Sequence, residues 1–106
     1  MLPRDERIAS GAQIKAIIRK KQFQFSTPLL YIVAARNNQR LSRLVVVCKK
    51  ALGNAVKRNK TRRRIVSAYK DIKHNMTKNI DIVIFPKEAE KEKAEYQKSL
   101  KCLNIS

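Results

Sequence analysis

Few side chains in this sequence could perform catalysis, whereas a dense group of cations could bind phosphate. The only histidine, His74, has no serine, cysteine or carboxylate at a spacing that would make it a general base. The two glycines are too few for a glycine-rich loop that cradles phosphates. By contrast, eight of the sixteen residues at positions 49–64 are lysine or arginine, and none is acidic. The sequence therefore predicts a protein that binds a polyanion and supplies little reaction chemistry itself.

The positive charge is concentrated in the middle of the chain. The formal net charge is +17, and residues 7–70 contain 17 lysines and arginines but no aspartate or glutamate. A solvated surface usually mixes both signs of charge, whereas an acid-free basic run is typical of a surface that contacts nucleic acid. Arginine side chains can also clamp two phosphate oxygens at once. We therefore expect RNA or DNA as the partner, with an anionic membrane surface as the weaker alternative.

Length and composition predict a single domain over residues 1–106. The 106 residues, 43% of them apolar, can close one modest core. Cys48 and Cys102 lack the spacing of a zinc site or a disulfide framework, which favours a reducing compartment and a core position for both. No apolar stretch approaches the roughly 18 residues of a membrane helix, and the N-terminus lacks a signal peptide's apolar region. We expect a cytoplasmic protein without a membrane partner.

Hydrophobic periodicity predicts the first half of the fold. Ser10 and Gln13 have the spacing of a capping box, and the isoleucines that follow predict a helix over residues 13–20. Alternating polar and apolar residues at 22–25 and an apolar run at 29–35, separated by Pro28, predict one strand in two pieces. Residues 43–48 predict a second strand, whose unbroken apolar run is typical of a central position in a sheet.

The second half is predicted to form a strand–helix–strand unit and a last helix. Asn54 is a good N-cap for a helix that reaches about residue 75, with Ile65, Tyr69, Ile72 and Met76 on its core face. Its first half has cations on every side, so this end must project from the core or line a groove. Residues 80–85 predict a third strand, parallel to the second, and residues 88–103 a helix. The predicted class is α+β, in the order helix–strand–strand–helix–strand–helix.

One segment resembles a known signature. Lys49-Lys50, followed by Gly53-Asn54-Ala-Val-x-Arg58-Asn59-x-x-Arg62-Arg63, is similar to the motif of the bacterial ribonuclease P protein subunit. Other parts of the chain agree in order: Leu-Pro-Arg near the N-terminus, Leu29-x-Tyr31, Asp81-Ile-Val-Ile, and the sequence from Ser99 to Leu103. The resemblance covers nearly the whole chain.

The resemblance implies a fold and a function. The fold would contain a left-handed βαβ crossover, against the usual rule. The protein would be the subunit of a ribonucleoprotein endonuclease that binds the catalytic RNA and the 5′ leader of precursor tRNA, and assists removal of the leader. The RNA would carry the catalysis and most of the bound Mg²⁺, so no catalytic or metal-binding residue is expected in the protein and no DNA partner.

The resemblance also implies two sets of site residues. The residues expected to contact RNA are Lys49, Lys50, Gly53, Asn54, Lys57, Arg58, Asn59, Lys60, Arg62, Arg63 and Arg64. A cleft for the leader, between the sheet and the first helix, would be lined by Ile14, Ile18, Leu29, Tyr31 and Val46. Three departures from the family pattern stand out: isoleucine at 14 and 18 where phenylalanine is usual, one extra residue before Gly53, and Val66 where a basic residue is expected.

Three other functions compete with this interpretation. A ribosomal or other structural RNA-binding protein fits the charge equally well but predicts no role in cleavage. A DNA-binding regulator is disfavoured because the basic helix has arginines on every side and not on one reading face. A self-sufficient nuclease would need a carboxylate cluster, which residues 7–70 lack.

Overall fold

The structure, a computed structural model, describes residues 8, 11–37, 42–73 and 79–101. Within these ranges a four-stranded sheet carries helices on both faces, which confirms the α+β class. The predictions that involve Ser10, His74, Met76, Cys102 and Leu103 lie outside the described residues. The elements in chain order are α1 Gly11–Arg19, β1 Phe23–Ser26, β2 Leu30–Arg36, β3 Arg43–Val46, a short 3-10 helix Lys50–Leu52, α2 Ala55–Ile72, β4 Ile80–Pro86 and α3 Lys93–Leu100.

The strands are arranged in the order β1-β2-β4-β3. β3 and β4 are parallel, with Leu44 beside Ile82, so the predicted βαβ unit is confirmed, whereas its left-handed sense stays a prediction. The predicted central position of β3 is wrong, because among the described strands β3 pairs only with β4 and lies at the edge of the sheet. The apolar run of β3 has a different cause: Leu44 and Val46 are buried under α2, while Val45 packs against the cluster on the opposite face.

The prediction of one interrupted strand at residues 22–35 is also wrong. β1 and β2 form an antiparallel pair, with Ser26 beside Tyr31, so three strands and not two precede α2. The turn between them is closed locally. The Thr27 N–H donates to the Leu30 carbonyl at 2.8 Å, and the Leu30 N–H donates to Thr27 Oγ1 at 2.9 Å. Pro28, which cannot donate a backbone hydrogen bond, lies inside this turn.

Side chains that alternate along the strands form two cores. α1 covers one face, where Ile17 packs near Val83 and Ala35 together with Ile8. α2 and α3 cover the other face, which holds the larger core. Its buried members are Leu30, Ile32, Ala34, Leu44, Val46, Ile65, Ala68, Tyr69, Ile80, Ile82, Ile84, Tyr96 and Leu100.

α3 begins at Lys93 and not near residue 88 as predicted. Residues 88–92 form a loop that is held by hydrogen bonds to residues outside it, which the sequence of the loop itself does not predict. The buried Tyr96 hydroxyl donates to the Glu88 carbonyl at 2.8 Å, and the Glu90 N–H donates to Thr61 Oγ1 at 2.9 Å. Glu90 also has a positive φ of 55°, which ends any helical path. Burial raises the pKa of the Tyr96 hydroxyl, so it stays a neutral donor.

A buried ion pair fixes the end of the sheet where β4 begins. Arg43 Nε and Nη2 donate to the two Asp81 carboxylate oxygens at 2.8 and 2.6 Å, and Asn37 Nδ2 donates to the same carboxylate at 2.7 Å. The hydrogen bond from Arg43 to Asp81 raises the pKa of the Arg43 guanidinium. Because Asp81 is only 6% exposed, its carboxylate depends on these donors.

We expect Asp81→Ala to lower the free energy of unfolding by about 3 kcal/mol, because Arg43 is left with a largely buried charge and no partner. Urea denaturation of the isolated protein measures this loss. The double variant Arg43→Met/Asp81→Ala removes both charges and should recover a substantial part of it. Equal losses in the single and double variants would contradict the role given to the pair.

Candidate nucleic-acid interface

The cationic end of α2 is positioned by a cap and a glycine. Asn54 Oδ1 accepts the Lys57 N–H at 2.9 Å, which confirms the predicted N-cap. Gly53 has a φ of 144°, and a Cβ there would lie 2.9 Å from Lys57 Cδ. Glycine is therefore needed both for the backbone angle and for the approach of Lys57. A 3-10 turn comes directly before Gly53, and the Gly53 N–H donates to the Lys50 carbonyl at 3.1 Å.

Most of the predicted RNA-contacting residues lie on the surface of this helix end. Arg62 and Arg63 are exposed, and Arg62 Nη1 donates to Asn59 Oδ1 at 2.9 Å, which orients one guanidinium. Along α2 no acid precedes Asp71, so the field is uniformly positive. The helix dipole adds partial positive charge at the same end. The other exposed members of the set are Lys49, Lys50, Asn54, Lys57, Asn59 and Lys60.

Two arginines of the set are partly withdrawn from the surface. Arg64 is half-buried, and its Nη1 donates to the carbonyls of Glu90 and Lys91 at 2.7 and 3.2 Å. This guanidinium ties α2 to the loop before α3. Arg58 is also half-buried, and its Nε, enclosed by the protein, has no hydrogen-bond partner within the described part of the chain. These two side chains offer less to a partner than Arg62 and Arg63 do.

Cys48 lies beneath the same helix end. Its thiol donates to the Arg58 carbonyl at 3.7 Å, and its side chain packs against the larger core. Burial raises the pKa of this thiol, and the positive charges of Arg62 and Arg58 oppose the effect only in part. The thiol therefore stays protonated and has a packing role, as predicted for this residue.

The predicted leader cleft is divided by the sheet. Tyr31 lies on the α1 face, where Ile14 packs against the smaller cluster and Ile18 is half-buried on the same side of the helix. Leu29 and Val46 contact the larger core on the opposite face, so the structure does not bring them together with Tyr31. The prediction for Val46 was wrong, because successive residues of a strand point to opposite faces and it is Val45 and Val47 that face α1.

Phe85 is the residue that sequence reasoning missed on the α1 face. It is half-buried, and its ring centroid lies 5.9 Å from that of Tyr31, at an interplanar angle of 34°. The Lys49 ammonium lies 5.8 Å from the centre of the Phe85 ring. The alternation of β4 could have placed Phe85 with Val83, but its meeting with Tyr31 depends on the pairing of β2 with β4.

The described residues offer no set of ligands for a metal ion. Within residues 8, 11–37, 42–73 and 79–101, no group of three histidine, cysteine, aspartate or glutamate side chains comes together. The same ranges contain no helix with the length and apolarity needed to span a bilayer.

The exposed cations along α2 can bind phosphate, and a flat ring can stack on the Tyr31–Phe85 pair.

Comparison with known proteins gives a consistent result. A curated relative, the ribonuclease P protein component of Clostridium novyi, is 27% identical over 93 residues, which cover 87% of this chain and 82% of that protein. The structure of the Staphylococcus aureus RNase P protein matches with a TM-score of 0.77 and 26% identity over 92% of this chain and 91% of that one. The Thermotoga maritima RNase P protein shares the fold, with a TM-score of 0.81 and 22% identity over 95% and 98% of the two chains. The family model for ribonuclease P matches residues 2–105, and the chain therefore belongs to the ribonuclease P protein family.

Proposed function

We propose that the chain, as the protein subunit of ribonuclease P in the cytoplasm, binds the catalytic RNA and the 5′ leader of precursor tRNA and assists endonucleolytic removal of the leader. The observation that carries this proposal is the exposed, acid-free cationic end of α2, held in place by Asn54 and Gly53. A ribosomal or other structural RNA-binding role would use the same charge, but family membership over residues 2–105 disfavours it.

The proposal divides the work between protein and RNA. The described side chains offer no ligand set for Mg²⁺, and we assign the cut and the metal ions to the RNA subunit. The protein's part is electrostatic. Exposed arginines on α2 neutralise phosphates of the catalytic RNA and release the counterions condensed on it. The whole chain then acts as a single RNA-binding domain.

The α1 face of the sheet is proposed to hold the leader. Ile14 and Ile18 give it an apolar wall, and the Tyr31–Phe85 pair gives it an aromatic surface on which an unpaired base can stack. Lys49 stands at the edge of this surface and also precedes the 3-10 turn that leads to α2. One cation thus lies between the two proposed RNA contacts.

Reconstitution tests the proposal as a whole. The purified protein is mixed with the host's candidate catalytic RNA and a precursor tRNA at low magnesium, and the products are separated on a gel. We expect cleavage at the 5′ end of the mature tRNA that neither component gives alone under these conditions. Binding of the RNA without any stimulation of cleavage would support the structural RNA-binding alternative.

Arg62→Ala should weaken binding to the catalytic RNA by about tenfold at physiological salt, because a charge-assisted contact to phosphate is lost. The slope of log affinity against log salt should fall by about one unit. Filter binding at several salt concentrations measures both. Arg36→Ala is the matched control, since Arg36 is exposed at the opposite end of the sheet and lies over Phe23. If both variants weaken RNA binding equally, Arg62 is not part of the interface.

Tyr31→Ala and Phe85→Leu should each reduce affinity for precursor tRNA by about tenfold, because stacking of one base is lost. Affinity for mature tRNA, which has no leader, and assembly with the catalytic RNA should stay within about twofold. Tyr31→Phe keeps the ring and is the control that should bind like the original protein. If the variants lose the same affinity for both tRNAs, these residues do not contact the leader.

A further inference from the structure

A groove runs along the outer side of β3, and two arginines that the proposed function assigns to RNA border it. It lies between this edge strand and the side of α2 that carries Arg62, Val66 and Lys70, three residues spaced four apart and hence on one helix face. Its volume is about 550 Å³, which lies within the range of pockets that hold small ligands. Ile8 closes it at one side, where its N–H donates to the Leu44 carbonyl at 3.3 Å.

The groove has an apolar floor and a cationic rim. Leu44 and Val46 are buried in the floor, and the partly buried Val66 packs beside them. Arg62 and Arg63 are exposed along the rim. A carboxylate, Asp71, lies at the far end, but Lys93 Nζ contacts it at 2.5 Å and Gln97 Nε2 at 3.4 Å. The rim therefore keeps a net positive charge.

The strand edge also presents backbone groups to this space. The Val47 N–H donates to the Ile84 carbonyl on β4, whereas the Leu44 carbonyl accepts from Ile8 on the other side. Because successive residues of a strand direct their backbone groups to opposite sides, the N–H and C=O of Val46 point away from β4, toward the groove. One donor and one acceptor side by side match the hydrogen-bonding edge of a nucleobase.

We propose that this groove receives one unpaired base of the RNA partner, with the phosphates on either side of that base bound by Arg62 and Arg63. The inference rests on the proposed function for the identity of the partner and adds a pocket that reads the base. An apolar floor with two guanidinium groups on its rim suits a flat ring joined to anions. An apolar peptide segment would leave the guanidinium groups without partners and is the alternative occupant.

Mononucleotides test the pocket directly on the original protein. Adenosine 5′-monophosphate should shift the methyl NMR signals of Leu44, Val46 and Val66 in a saturable way. Ribose 5-phosphate carries the same phosphate without a base and should leave these methyl signals unchanged. If the two compounds act alike, or if neither moves the methyl signals, the proposed base pocket is overturned.

Two variants of one residue extend the test to the RNA complex. Val66→Phe keeps every charge but fills the groove, and it should weaken binding to the catalytic RNA about tenfold with an unchanged salt slope. Val66→Ala leaves the groove open and should lose less affinity than Val66→Phe does. Thermal unfolding measurements check that both variants retain the fold.

The outcomes separate the two proposals. If the original protein binds no catalytic RNA, the proposed function fails and the base pocket, which needs that RNA, falls with it. If the original protein binds and stimulates cleavage while the two Val66 variants bind equally well, the function stands and the pocket is overturned.

Discussion

The buried hydroxyl of Thr61 is the contact on which the cationic surface depends. The first half of α2 carries dense positive charge and little apolar surface, so hydrophobic burial cannot hold it to the rest of the protein. Thr61 is fully buried, donates to the Lys57 carbonyl at 2.9 Å and accepts the Glu90 N–H at 2.9 Å. Arg64 adds bonds to the same loop. Neutral groups thus hold the first half of α2 to this loop, while Arg62 and Arg63 remain exposed to phosphate.

The two proposed RNA surfaces meet at one end of the sheet. α2 starts a short distance after β3, so its N-terminus lies near the end of the strands that carries Tyr31 and Phe85. The opposite end is held by the ion pair between Arg43 and Asp81, so this carboxylate is already paired within the protein. In the proposed function, one end of the sheet supplies the cations and rings that contact RNA, and the other end supplies rigidity.

The sequence reasoning succeeded where the signal is local. The cap at Asn54, the long helix and the two parallel strands follow from residues near one another in the chain. It failed where distant partners decide. The chain around Pro28 forms a hairpin and not the single interrupted strand that was predicted. Hydrophobic periodicity does not reveal where a chain reverses its direction. Val46 was assigned to the cleft by resemblance, but the alternation of β3 places it in the larger core on the opposite face. Phe85 meets Tyr31 only through the register of β2 with β4, which no local pattern encodes.

The 3-10 turn between β3 and α2 separates changes of chain length from the orientation of the helix. The Leu52 N–H donates to the Lys49 carbonyl at 3.0 Å, and the Gly53 N–H donates to the Lys50 carbonyl, so the turn closes on itself before the cap begins. A residue gained or lost here alters the size of the turn, while Gly53 and Asn54 still set where α2 starts. The start of α2, and with it the position of the arginines that follow, is therefore set by the cap residues and not by the length of the turn.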